Sequence, residues 1–416
     1  MALLGFHIVL SLIAATLYNK LGPDFKACDW LVWRGLKYFW LPEPQDNSEN
    51  KKLRKRGVKA QDVDFKTSVL CVDMNFAVMG RLTFFNSLQW MVNYGVLSLV
   101  VFCLSQLWCF LLPLDDSTNV SVLWCLFSIS FSVQSLCKIL WMKISKTELS
   151  SERNLVISFS LLAFLFFAVI NVFGDRFLSD NLGQCFDYLM ENSRSIAANV
   201  SSFKFGKSSP ILLFMFASFT AALLCAILML PLVQYALLFK IAAERDSSFM
   251  SIIHKLVFIL PYLILPLYLA PVQKIFLDQI SSLDSDIYST VRNALVITWS
   301  LLRILTLKSL LQAYLLNAWE KAQAFTKHPE AFESLRSHLS LLAMTALQLL
   351  SPAVLILFVS LAEIGLGQLT GVRPSPVVNN LQVLLDYRVQ RVFWAYLNAV
   401  LLTLHVVLSS IGLTFS

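Results

Sequence analysis

Nine stretches of this sequence are apolar for roughly the length that a helix needs to cross a bilayer. A hydrocarbon core about 30 Å thick takes about 20 helical residues. Inside it no water is available to the backbone, so each span must close its own hydrogen bonds. The stretches are residues 2–18, 88–112, 120–141, 155–173, 211–239, 256–272, 293–313, 339–361 and 392–415, the first and sixth being short. Composition agrees: 57% of the chain is hydrophobic and only 14% is charged, against about a quarter in soluble domains. The expected fold is all-α, a polytopic membrane helix bundle of about nine transmembrane helices, several of them proline-kinked. It divides into an N-terminal anchor or signal-like segment (1–18), a basic loop with an interfacial helix (19–87) and the bundle proper (88–416). No stretch reads as a separate soluble domain.

A net charge of +7 does not imply nucleic acid in such a chain, because Lys and Arg are retained on the cytoplasmic side and set orientation. The first apolar run has no base before Lys20, whereas Lys20 and Lys26 follow it. That asymmetry favours an uncleaved anchor with its N-terminus outside; a cleaved segment would invert the arrangement. With the N-terminus outside, most of the Lys and Arg fall on the cytoplasmic side. The loop Pro113–Asn119 carries Asp115 and Asp116 and no base, as an outside loop should. Two Asn-x-Ser sequons, at Asn119 and Asn199, then fall outside. Asn119 lies close to the membrane, and Asn199, in a longer loop, is the better acceptor.

The first loop holds two features. Trp30, Leu31, Trp33, Leu36, Tyr38, Phe39 and Trp40 sit beside Arg34 and Lys37. They suit either a helix lying in the interface or a hydrophobic segment packed on the bundle. Lys51, Lys52, Arg54, Lys55, Arg56 and Lys59 form a basic cluster. It reads either as a lipid-contact site, attracting anionic lipid at about 1 kcal/mol per base, or as a solvated topology signal.

Ionisable groups at bilayer depth cost about 2.5–3.5 kcal/mol on insertion scales, so they are where function is sought. Arg303 lies near the middle of the seventh span. Lys308, about one and a half turns further on, can snorkel to the interface. No span has a central carboxylate for Arg303, and Glu363 lies at the far end of the eighth. Its expected partners are therefore freed carbonyls, hydroxyls such as Thr306, a lipid phosphate or an anionic ligand. Prolines supply such carbonyls, since each displaces the one four residues earlier. Pro261, Pro266 and Pro271 free Val257, Tyr262 and Leu267, while Pro231 and Pro352 free Ile227 and Gln348. Asn93, Gln106, Gln134, Asn171 and Asn398 are placed to hydrogen-bond between helices. His7 and His405 read as lone packing residues. Arg303 serves either to lock helices together or to handle an ion or substrate.

No phosphate loop, GxSxG, HExxH or intramembrane carboxylate pair occurs. The eight cysteines form no CxxC pair and no metal spacing. Metal sites, cofactors and catalytic residues are accordingly not expected. The opening MALLG, the segment Val120–Ser132 containing VLWCLFSISFS, and LLR…LQAYL from Leu301 to Leu315 together resemble the transmembrane protein 161 family. Arg303 and the stretch Gln312, Ala313, Tyr314 match positions in its pattern. The resemblance implies a multi-pass membrane protein without enzymatic activity, at the plasma membrane or endoplasmic reticulum. It implies a regulator of ion homeostasis and excitability, acting on calcium and potassium currents. The expected partners are the bilayer, an ion channel or pump and, from the basic cluster, anionic lipids. The alternative is a channel or transporter in its own right, with Arg303 near the permeation path. An enzyme acting on lipid would have only single histidines such as His405 to offer.

Overall fold

The computed structural model describes residues 6–21, 27–40, 70–111, 121–145, 150–200, 209–279, 285–323, 328–367 and 384–414. Fourteen helices and one two-stranded sheet occur among them. In chain order they are α1 (Phe6–Leu21), β1 (Lys37–Trp40), β2 (Leu70–Asp73), α2 (Phe76–Met79) and α3 (Phe85–Leu111). Then come α4 (Ser121–Ser145), α5 (Ser150–Phe177), α6 (Leu182–Val200), α7 (Ile211–Arg245) and α8 (Ser248–Ile264). The last six are α9 (Ala270–Gln279), α10 (Ser285–Leu305), α11 (Leu307–Gln323), α12 (His328–Ser340), α13 (Leu342–Gly367) and α14 (Tyr387–Thr414).

Eight helical segments are long and apolar enough to span a membrane, and they coincide with the last eight apolar stretches. α1 has 16 residues, about 24 Å at 1.5 Å per residue, short of a full core. It lies against α3, and Trp124 Nε1 of α4 donates to Ser11 Oγ at 3.1 Å. The chain is a polytopic helix bundle. Its rim is oil-like: Leu161, Leu165, Val169 and Val172 stand exposed along α5, a surface that suits lipid.

α13 is the axis. Of its most apolar stretch 94% is buried, against 22% for α5. It packs on α3, α4, α7, α10, α11 and α14. Close approach elsewhere uses small residues, as membrane bundles do. A Cβ on Gly412 of α14 would stand 2.7 Å from the Ala236 Cβ of α7, so that position admits only glycine without a shift.

The prolines act unequally. α7 and α13 run on through Pro231 and Pro352. Pro261 lies inside α8, and only around Pro266 does the α-helix give way, to a 3-10 turn over Leu265–Tyr268; Pro271 sits at the start of α9. Two of the freed carbonyls are taken by α10. Trp299 Nε1 donates to Val257 O at 2.9 Å, and Tyr288 OH to Leu267 O at 2.9 Å.

The aromatic segment of the first loop packs on the bundle through Trp33, Leu36 and Tyr38, while Trp30 stays exposed. It forms a π-helical turn at Asp29–Trp33, then β1. Trp33, Leu36 and Tyr38 are buried in the main core. Cys28 is buried with them, its thiol pushed up to about 12 by burial and then by neighbouring Asp29, which leaves it protonated and inert. β1 pairs antiparallel with β2, Lys37 opposite Asp73. Gln312 of α11 completes β1: it accepts from Lys37 N at 2.9 Å and donates to Lys37 O at 3.1 Å. Tyr314 OH donates to His338 O at 3.1 Å, tying α11 to α12. The basic cluster Lys51, Lys52, Arg54, Lys55, Arg56 and Lys59, and the sequon at Asn119, lie outside the described residues. Asn199 is not in a loop but at the end of α6, an amphipathic helix that the hydropathy reading passed over.

Candidate functional site: two buried arginines on one helix face

α10 is amphipathic in reverse. Tyr288, Arg292, Val296, Trp299 and Arg303 recur at helical spacing and are all buried, so they form one stripe facing the bundle. Two cations eleven residues apart, about 16 Å along the axis, thus enter the interior.

Arg292 is fully matched in charge. Its Nη1 donates to Asp180 Oδ2 at 2.9 Å and to Ser179 Oγ at 3.3 Å. Its Nη2 donates to Glu363 Oε1 at 3.3 Å, and its guanidinium stacks 4.1 Å from the Tyr268 ring centroid. Glu363, 3% exposed, accepts from Asn398 Nδ2 at 2.7 Å through its other oxygen. Asn398 Oδ1 in turn accepts from Ser360 Oγ at 3.1 Å. One residue thereby ties α10, α13, the 3-10 turn and the corner before α6, and α14 joins through Asn398. That corner is fixed by its own backbone bond, Ser179 N to Tyr268 O at 3.0 Å. Asn171 makes a smaller knot, accepting from Tyr396 OH at 2.8 Å and donating to Ser218 Oγ at 3.0 Å, so that α5, α7 and α14 meet.

Arg303 is held without a carboxylate. Its Nη1 lies 3.0 Å from His405 Nδ1, and its guanidinium sits 4.2 Å from the Tyr235 ring and 5.7 Å from Trp299. Its Nε and Nη2 find no partner among the described residues. The expected acceptors are corrected here: Thr306 instead donates to the Arg303 backbone carbonyl at 2.9 Å, and the freed Val257 carbonyl takes Trp299. His405 is not lone but the guanidinium's hydrogen-bond acceptor. Because Nδ1 accepts, the imidazole is neutral there, and the layer keeps a net positive charge.

Hydropathy alone missed Arg292, since it begins the seventh span at residue 293. Extending the 3.6-residue period back from Arg303 through Trp299 and Val296 would have found it. Glu363 is not at a water-facing end but inside the bundle. A third polar group joins His254, Asp246 and Ser309. His254 Nε2 meets Asp246 Oδ2 at 3.0 Å and Ser309 Oγ at 2.8 Å, and Ser309 also donates to Asp246.

A family model described as predicted transmembrane protein 161AB matches residues 2–376. The chain belongs to that family. No solved structure matches it. In this transmembrane protein 161 family member the matched length takes in both buried arginines, Gln312 and the whole of α13, while α14 and the residues from 377 up to it lie beyond the match.

Proposed function

We propose that this family member is a non-enzymatic and non-conducting regulator of ion homeostasis and membrane excitability. It acts on calcium and potassium currents at the plasma membrane or endoplasmic reticulum, by lateral contact with a channel or pump or through the surrounding lipid. The observation that carries the reading is the position of α13. A conduit needs a wettable axis, and here a helix fills it, clasped from one side by Arg292 and packed by its neighbouring helices. The polar groups support a scaffold and not catalysis. Hydrolytic triads place serine and carboxylate on opposite ring nitrogens, whereas Asp246 and Ser309 share Nε2 of His254.

One feature favours transport instead: the unpartnered Nε and Nη2 of Arg303, which could greet an anion. Reconstitution separates the two readings. Liposomes holding the purified chain are expected to pass calcium, potassium and chloride no faster than empty ones, while co-expression with voltage-gated channels changes their currents. Flux that vanishes in Arg303→Ala would establish the transport reading in its place.

A further inference from the structure

We propose that the cleft between the first loop and the α10–α11 junction is a binding site for the phosphate of an anionic phospholipid. It is a site distinct from the regulatory reading above and does not rest on it. The cleft has a volume of about 340 Å³ and is lined, among the described residues, by Trp30, Leu31, Arg34, Leu305 and Lys308. Two cations from chain segments far apart in sequence face one space. No carboxylate lines it; Asp29, on the same turn as Trp30, is not among the lining residues. Neither Arg34 nor Lys308 forms an ion pair among the described residues.

The backbone is built to bring them together. Arg34 N closes the π-helical turn on Asp29 O at 2.9 Å. Gly35 then takes a φ of 83°, a left-handed conformation that glycine adopts without strain. A Cβ there would lie 3.3 Å from Lys308 Nζ, so glycine also clears the ammonium's path. The Gln312 clamp on Lys37 holds this approach in place. Two cations held close repel each other, and an anion between them reverses the sign of that energy. A phosphate accepts from the guanidinium fork and the ammonium together.

The walls identify a lipid rather than a soluble phosphate. Trp30 and Leu305 are 62% and 56% exposed beside the charges, an apolar surface that water penalises and acyl chains or glycerol would cover. Tryptophan with a base nearby is the composition of the membrane–water boundary. Depth agrees. Lys308 lies about 24 Å along the helix from Arg292, whose partner Asp180 is 24% exposed at the other end of the bundle. The cleft is therefore at the opposite interface, on the side of β1 and β2.

The test is native mass spectrometry of the full chain in detergent. It is titrated with dioctanoyl phosphatidylglycerol, dioctanoyl phosphatidylcholine and inorganic phosphate. The anionic lipid is expected to bind about tenfold tighter than the zwitterionic one, each base near the surface contributing on that scale. The double variant Arg34→Gln, Lys308→Gln is expected to lose that preference. A double variant of equal charge at exposed positions, Lys255→Gln with Lys274→Gln, should keep it, as should the charge-preserving Arg34→Lys, Lys308→Arg. The last variant keeps the test decisive if the glutamine pair fails to fold. Equal affinity for the two lipids, an undiminished preference in the glutamine variant, or inorganic phosphate displacing the lipid at equal concentration would each overturn the proposal.

Discussion

Replacing Arg292 by Met is expected to be the most damaging single change in the bundle, costing about 3–5 kcal/mol. The cost comes from what is left behind. Glu363 would remain buried with only the neutral amides of Asn398 and Asn293 beside it, an uncompensated buried charge. Asp180, partly exposed, can recover hydration, so the penalty resides on α13. The measurement is the thermal midpoint in detergent, read by size-exclusion chromatography after heating. Arg292→Met should fall by many degrees, and Arg292→Met combined with Glu363→Met should regain most of the loss. A buried pair exchanged for apolar groups of similar volume is near neutral, and groups in direct contact do not add. If the double variant lost the sum of the two single losses, the ion pair would not be what holds α10 to α13.

Arg303 should behave in the opposite way. It has no carboxylate to strand, and its Nε and Nη2 are without a partner among the described residues. Met would fill the slot between Tyr235 and Trp299, remove a desolvated charge and leave only His405 short of one bond. Arg303→Met is therefore expected to change the stability by less than about 1 kcal/mol, or to raise it. Arg303→Lys, conservative by charge, should cost about 2–4 kcal/mol. The compact ammonium is more strongly hydrated and cannot stack on the rings as a planar guanidinium does. A well-tolerated Lys beside a collapsed Met would contradict the assignment of Arg303 to an aromatic slot.

The spans were legible because their signal is length and apolarity, which no tertiary contact alters. Arg303 stood out for the same reason, as a charge amid apolar neighbours. Its partners did not, because His405 lies 102 residues away and nothing local marks one histidine as an acceptor. Arg292 was hidden by the hydropathy window: it adjoins Asn293, in a polar helical start that only periodicity assigns to the interior. Glu363 was visible, but its burial depends on α13 being enclosed on every side, a property of the assembled bundle. The prolines showed which carbonyls would be freed; which side chains claim them follows from α10 lying beside α8. The meeting of Arg34 with Lys308 depends on a return of the first loop onto α11 that no motif announces. α6 escaped because its apolar face is a stripe rather than a run.

The central claim is that a dry helix fills the place where a conduit would run. It is tested most directly by single cysteines at Ala346, Ala353 and Ala362, all fully buried along α13, in an otherwise cysteine-free background. Each is exposed to a small charged methanethiosulfonate from either side of sealed vesicles. All three are expected to remain unmodified, while an exposed control at Lys274→Cys reacts from one side. Progressive modification along α13, from whichever side, would reveal a water-filled path and contradict the account.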